Sequence, residues 1–192
     1  MSLTGKIVAT TASGLLLAGH PVIAQSPPAP PAAKTSSAQV ADQTTATFGD
    51  WTLRCDRRVD LTPPQRVCEL GLVILKPGET GAQAQIAVGR VAPGRPLQIT
   101  AVLPPNVALK TNPRVVIDGQ QPSSTILTWS RCVAGACFAD AELSPALMNA
   151  MRLRTDPARL DYRDGTDRDV SQSVSFRGVR PALEALAQEE AK

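Results

Sequence analysis

One histidine occurs in the 192 residues, His20, and it sits in a leader-like stretch at the N-terminus. A chain that loses this stretch has no imidazole. That excludes a serine or cysteine nucleophile activated by histidine, and any zinc or iron centre built on imidazole. A serine served by a lysine base would have to use Lys34, Lys76, Lys110 or Lys192, two of which lie in the tether and at the extreme tail. Aromatic residues are equally scarce, with two Trp, one Tyr and three Phe. The arginines alternate with acids instead of clustering, so there is no stacking platform and nucleic acid is not an expected partner. Beyond residue 24 no run approaches the roughly 20 apolar residues that cross a bilayer.

What is present begins with the leader. Lys6 precedes the apolar run "IVATTASGLLLAG", and "PVIA" follows before Gln25, the order of a secretory signal peptide. Val22 and Ala24 are small enough for signal peptidase, which places the cut after Ala24, and Thr10, Thr11 and Ser13 interrupt the run too often for a membrane anchor. The expected organisation is a signal peptide over 1–24, a disordered Pro/Ala/Ser-rich tether over 25–47, one β-rich domain over 48–188 and a tail over 189–192. The expected location is therefore the periplasm or the exterior. Losing Lys6 reduces Lys plus Arg from 20 to 19 against 17 acids, a near-neutral balance that names no partner.

Export changes what four cysteines mean, because oxidising compartments convert thiols to disulfides. Cys55, Cys68, Cys132 and Cys137 can pair in three ways. The pairing favoured is Cys55 with Cys68 and Cys132 with Cys137. Four residues separate Cys132 from Cys137, whereas a thioredoxin-type redox motif has two, and Gly135 lets the chain double back inside so short a loop. Twelve residues between Cys55 and Cys68 argue against a zinc site made of two close pairs. No metal and no cofactor is expected.

Period-two apolar patterns mark half-buried strands: Leu97, Ile99, Ala101 and Leu103; Ile86 and Val88; Leu160 and Tyr162; Val170, Val174 and Phe176. "KPGET", "APGRP", "DGQQP" and "RDGTDRD" suit reversals between them, the Asp-Gly pairs at 118 and 164 best of all. Two segments instead read as short helices. "LSPALMNAM" has Ser144 as N-cap and Pro145 at the first helical position, with Leu147, Met148 and Met151 on one face. "VRPALEALAQEE" starts in the same way at Pro181 and presents Val179, Leu183 and Leu186 on one face. The expected fold is mainly β, an antiparallel sandwich or barrel-like core with two helices and two disulfides. Trp51 and Trp129, each near a cysteine, are expected to pack on the bridges in the core.

Candidate chemistry is thin. "DYRDGTDRD", 161–169, gathers four aspartates but lacks the spacing and distal glutamate of a calcium loop, and its arginines oppose a cation. Asp140 and Glu142 fall on one side of a strand, a geometry that could serve glycoside hydrolysis but more often marks a wet face. Arg57, Arg58 and Arg66, in and around the loop between Cys55 and Cys68, are the candidate partner-binding residues. Guanidinium forks suit an anionic surface, and a constrained loop loses little entropy on binding.

Four stretches in order, "FGDWTLRCD" with a second cysteine at 68, "PNVALKTNPRVVIDGQ", Cys132 and Cys137 followed by "FADAEL", and "SVSFRGVRPALEAL", resemble the invasion-associated locus B family of small exported bacterial proteins. The likeness spans residues 48–187. It implies a β-rich periplasmic or outer-envelope protein with two disulfides and assigns no catalytic residue. The expected function is a non-enzymatic envelope binding or structural module acting on an envelope or host protein or an anionic surface. A carboxylate-dependent glycan hydrolase and a periplasmic chaperone or inhibitor are the alternatives.

Overall fold

In the computed structural model, which describes residues 43–75, 78, 81–117 and 124–191, the strand Trp51–Arg58 (β2) shows how the sequence builds the fold. Trp51, Leu53 and Cys55 are buried while Thr52 and Arg54 are exposed, because successive side chains of a strand point to opposite faces. The same alternation runs through Gln65–Leu75 (β3), Ala82–Gly89 (β4), Gln98–Leu103 (β5) and Ala136–Glu142 (β9). These strands join Gln43–Phe48 (β1) and Thr128–Val133 (β8) in a seven-stranded antiparallel sheet of order β1-β2-β3-β4-β5-β9-β8.

Arg114–Val116 (β6), Ser124–Ile126 (β7), Ala158–Arg163 (β10) and Asp169–Val174 (β11) make a second sheet of order β11-β10-β6-β7. The helix Pro145–Leu153 (α1) packs on the helix Val179–Glu190 (α2), which in turn lies on β1, β2 and β3. The core draws on the inner face of the large sheet (Trp51, Leu70, Ile86, Ile99, Leu103), on the small sheet (Val115, Leu160, Val174) and on both helices (Met151, Leu186). Each such large apolar side chain contributes about 1.5–3 kcal/mol on leaving water. The described residues fall in one compact unit, Val40–Lys192, and none of their helices is long and apolar enough to cross a membrane.

Both disulfides link residues that face each other directly across antiparallel strands, Cys55 with Cys68 on β2 and β3 and Cys132 with Cys137 on β8 and β9. The second pair depends on a register shift between Trp129 and Arg131. Three positions separate Trp129 from Cys132, which would put them on opposite faces of a regular strand. The shift sets both on the face of Ala139 and Cys137.

Three expectations are corrected. Gln43–Thr47, read as tether, are strand: they pair residue for residue with Asp56 to Thr52. These residues bury little, so composition hid an edge strand held by its ladder and by β-branched threonines. α2 begins two residues before Pro181, at Val179, with Gly178 as N-cap, and it runs past 188 through Glu190. Pro181 costs nothing there, because the first intrahelical bond is donated by Ala182 N to Gly178 O and earlier N–H groups have no acceptor in the helix. Trp129 is only half-buried at the rim, donating from Nε1 to Thr111 O at 3.1 Å, whereas Trp51 is fully buried and donates to Ser175 O at 2.9 Å.

The helix reading of 144–151 matches the structure: Ser144 accepts from Leu147 N at 3.2 Å, and Leu147 and Met151 are buried. Asp164 and Gly165 do turn the chain between β10 and β11. The leader, the tether as far as 42 and the Asp118 turn lie outside the described residues.

Candidate functional site

Successive residues at the end of a strand diverge, and Arg57 and Arg58 are successive. Arg57 faces Arg66 directly across β2 and β3, two rungs beyond the Cys55–Cys68 bridge. Arg58 points to the opposite, outer face. The three arginines therefore form no single cluster, and two of them are committed to acids. Arg58 grips Asp60 with two bonds of 2.8 and 2.6 Å, which raises its own pKa and holds the Asp60 carboxyl below the usual range. Arg66 donates to Glu189 of α2 at 3.2 Å and to Thr44. Arg57 is exposed, without an acidic partner among the described residues.

The outer face of the seven-stranded sheet carries a concavity of about 580 Å³ that no single sequence motif announces. Ala87 and Gly89, with little or no side chain, form its floor, and Arg58, Arg90, Arg131, Asp56, Glu69 and Asp140 surround it, with Gln85, Gln98 and Thr100 between. Arg131 lies over the Phe138 ring at 4.2 Å from its centroid, a cation–π contact that fixes both side chains. Asp140 stands between Thr100 of β5 and Thr128 of β8. Asp140 and Glu142 do share the outer face, as their spacing implied, but Asp140 lines the concavity and Glu142 sits opposite Gln98. Only Arg58 of the three expected arginines lines it. Arg66 opens instead on a small recess of about 120 Å³ with Arg90 and Glu190.

The remaining acidic cluster is satisfied from within. Asp164 accepts from Thr166 N at 2.8 Å, Thr166 Oγ1 at 2.7 Å, and Arg168 N and Nε at 3.1 Å each, which lowers its pKa to about 2. Asp161 accepts from Ser171 at 2.7 Å, and Asp167 and Asp169 both pair with Arg163. A carboxylate already bonded to four donors offers little to calcium, so the loop is a hydrogen-bonded hairpin turn. A second hollow of about 560 Å³ on the small sheet, near Arg114, Arg159 and Asp161, is lined by side chains engaged in the same way. Cys55, Cys68 and Glu189 bring three potential ligand atoms close together, but both sulfurs are in a disulfide and hold no thiolate for a metal.

The stretches around 48–51 and 175–178, remote in sequence, interlock. Asp50 accepts from Ser175 Oγ at 2.6 Å and from Arg177 Nε at 3.1 Å, and its N–H donates to Arg177 O at 3.1 Å. The Arg177 guanidinium, and then the Ser175 hydroxyl, hold the Asp50 carboxyl below the ordinary range. This clasp is structural. It fixes the end of β1 and the start of α2, and so braces the sheet whose other face bears the concavity.

Comparison with known proteins agrees with this architecture. The crystal structure of invasion associated protein B from Bartonella henselae superposes with a TM-score of 0.64 over 76% of this chain and 95% of that one, at 15% identity, a likeness of fold. No curated protein matches the sequence. The family model for the invasion associated locus B (IalB) protein matches residues 51–187. The chain belongs to the invasion associated locus B family.

Proposed function

We propose that this chain is an exported, non-enzymatic binding module that engages a protein or anionic surface of the cell envelope or a host through the outer face of its seven-stranded sheet. The observation that carries the reading is the concavity of about 580 Å³, with guanidinium and carboxylate groups on a face pinned by two cross-strand disulfides. A rigid face of this kind loses little conformational entropy on binding. Export is supported by the leader sequence and by the disulfides, which persist only where the medium is oxidising. The lack of histidine after His20 favours binding over imidazole chemistry. Asp56, Glu69 and Asp140 around one concavity are the observation that favours the second reading, carboxylate-dependent glycan hydrolysis.

The test places a photocrosslinking residue at Gln98, in the concavity, and separately at Leu153, exposed on α1, in the chain expressed in its native envelope. A discrete adduct from position 98, absent from 153 and lost with Arg131→Ala, is the expected result. Identical adducts from both positions, or none from 98, overturn the assignment of the face. Release of reducing sugar from envelope glycan by the purified chain, abolished by Asp140→Asn, would replace binding by hydrolysis.

A further inference from the structure

A sheet edge offers unpaired N–H and C=O groups to any passing strand, and folded proteins normally guard such edges with charge, proline, bulges or cover. The two edges of the large sheet are treated differently. β8 is guarded: its ladder shifts between Trp129 and Arg131, and the Arg131 cation stands on it. In the small sheet β7 has three residues, while β11 opens with Asp169, paired to Arg163, and packs against β3. Among the described residues β1 has no charge, proline or bulge of its own, and no strand pairs its outer edge. "QTTATF" contains no charge, proline or glycine, and its register with β2 is unbroken from Gln43 opposite Asp56 to Phe48 opposite Trp51.

The edge is also held ready. Gln43 donates to Asp56 at 2.8 Å, Arg66 donates to the Thr44 hydroxyl, and the Asp50–Arg177 clasp fixes the far end beyond Phe48. A strand already ordered costs less to pair than one that must be ordered on contact.

We infer that the edge of β1, unpaired among the described residues, is an interface between two copies of this chain, the two β1 strands pairing antiparallel about a two-fold axis. Opposed residues of an antiparallel pair share a face, so a symmetric pairing must centre on a residue rather than between two. Centred on Thr45, it sets Thr45 against its own copy, Gln43 against Thr47 and Thr44 against Ala46. Threonine pairs on one face stabilise such ladders. No like charges oppose each other, since the nearest ones on the neighbouring strand, Arg54 and Asp56, neutralise each other at 3.0 Å.

The chain's own upstream segment is the poorer occupant. Pro27, Pro28, Pro30 and Pro31 lack the N–H that a ladder needs. The stretch after them would have to reverse onto β1, yet residues 25–48 contain neither the glycine nor the asparagine that tight hairpins use. A neutral partner strand of matching length exists in every second copy. Because the pairing is only a few residues long, the association is weak and concentration-dependent.

The test uses the exported full chain and exploits the opposition of Thr45 with itself. Sedimentation equilibrium of the unaltered protein is expected to show a dimer mass growing with concentration. Thr45→Lys and Thr45→Glu are each expected to stay monomeric, and an equimolar mixture to regain the dimer, all at unchanged melting temperature. Thr47→Lys, opposite Gln43, serves as a second variant should either fail to fold, and Val133→Lys on the other edge, exposed and outside the concavity, leaves the dimer intact. A wild-type chain monomeric at every concentration, single variants that still dimerise, or a mixture that stays monomeric overturns the inference, whichever other strand occupies the edge.

Discussion

Gly178 approaches Phe48 so closely that a Cβ on Gly178 would stand 2.0 Å from the Phe48 carbonyl oxygen. The obstacle is backbone, which cannot swing aside, and Gly178 holds a φ of 84°, where an L side chain is strained in any case. Gly49, across the same junction, is confined likewise, with its Cβ position 2.5 Å from Arg177 O. Gly178→Ala should therefore cost at least about 3 kcal/mol, beyond the backbone strain alone. Gly135, in the turn between β8 and β9, has a φ of 92° but nothing within 4 Å of its Cβ position, so Gly135→Ala should cost only about 1 kcal/mol. Urea unfolding of both variants checks the order; equal losses would show that the junction yields.

Acid should loosen the clasp and the 163–169 turn. Asp50 and Asp164 both have folded pKa values below the ordinary 3.8, Asp164 at about 2. A depressed folded pKa means that the ionised form is the one the fold favours, so the contribution is complete above about pH 4 and is lost as pH falls through the folded value. Asp164→Asn should be less stable than the unaltered chain at pH 7, and the gap should close between about pH 4 and pH 2. Thermal melts across that range measure it. A gap that stays constant down to pH 2 would mean the carboxylate contributes as a neutral acceptor.

The parts of this fold visible in sequence are those where one residue's neighbours decide its face. Ile99, Ala101 and Leu103 announce β5, Ser144 announces the start of α1, and Asp164 with Gly165 announces a turn. β1 escaped because Thr44, Thr45 and Thr47 bury almost nothing, so only its ladder with β2 defines it. The concavity escaped for another reason. Arg58, Glu69, Gln98 and Asp140 come from four strands, and the pairing of β5 with β9, which skips β6, β7 and β8, sets them side by side. Composition could say that Arg58 and Arg66 were near a loop; it could not say that adjacent rungs send them to different faces.

The two disulfides should open in order. Cys55 and Cys68 are 1% and 6% exposed, whereas Cys132 is exposed at the end of β8 and only its partner Cys137, at 2%, is covered. A thiolate must reach a sulfur in line to exchange with it, so access governs the rate. Graded reductant followed by alkylation and peptide mass analysis should modify Cys132 and Cys137 first, with the fold retained. Replacing Cys55 and Cys68 together by alanine should then cost about 3 kcal/mol, the larger of the two losses because it frees the longer loop. Modification of Cys55 and Cys68 at the lower reductant concentration would show that the sheet breathes at β2 and β3.

Its place in the Cys55–Cys68 loop makes Arg66 a candidate partner-binding residue, but its contacts predict a different role. α2 ends in Glu189 and Glu190, and acids near a helix C-terminus oppose its dipole. Arg66 to Glu189 at 3.2 Å and Arg90 to Glu190 at 3.0 Å offset that repulsion and tie the last turn to the sheet. Arg66 and Glu189 side chains are 30% and 22% exposed, so the pair is screened only in part and should be worth up to about 1 kcal/mol. Arg66→Ala should lower the melting temperature by about 3 °C, and a double-mutant cycle with Glu189→Ala should recover the coupling. Arg57→Ala, which removes an exposed side chain without an acidic partner among the described residues, should leave melting unchanged. Loss of binding on Arg66→Ala alone would then trace to the loosened helix, whereas loss on Arg57→Ala would place the ligand against the loop. A cycle with no coupling would return Arg66 to the list of groups free to bind.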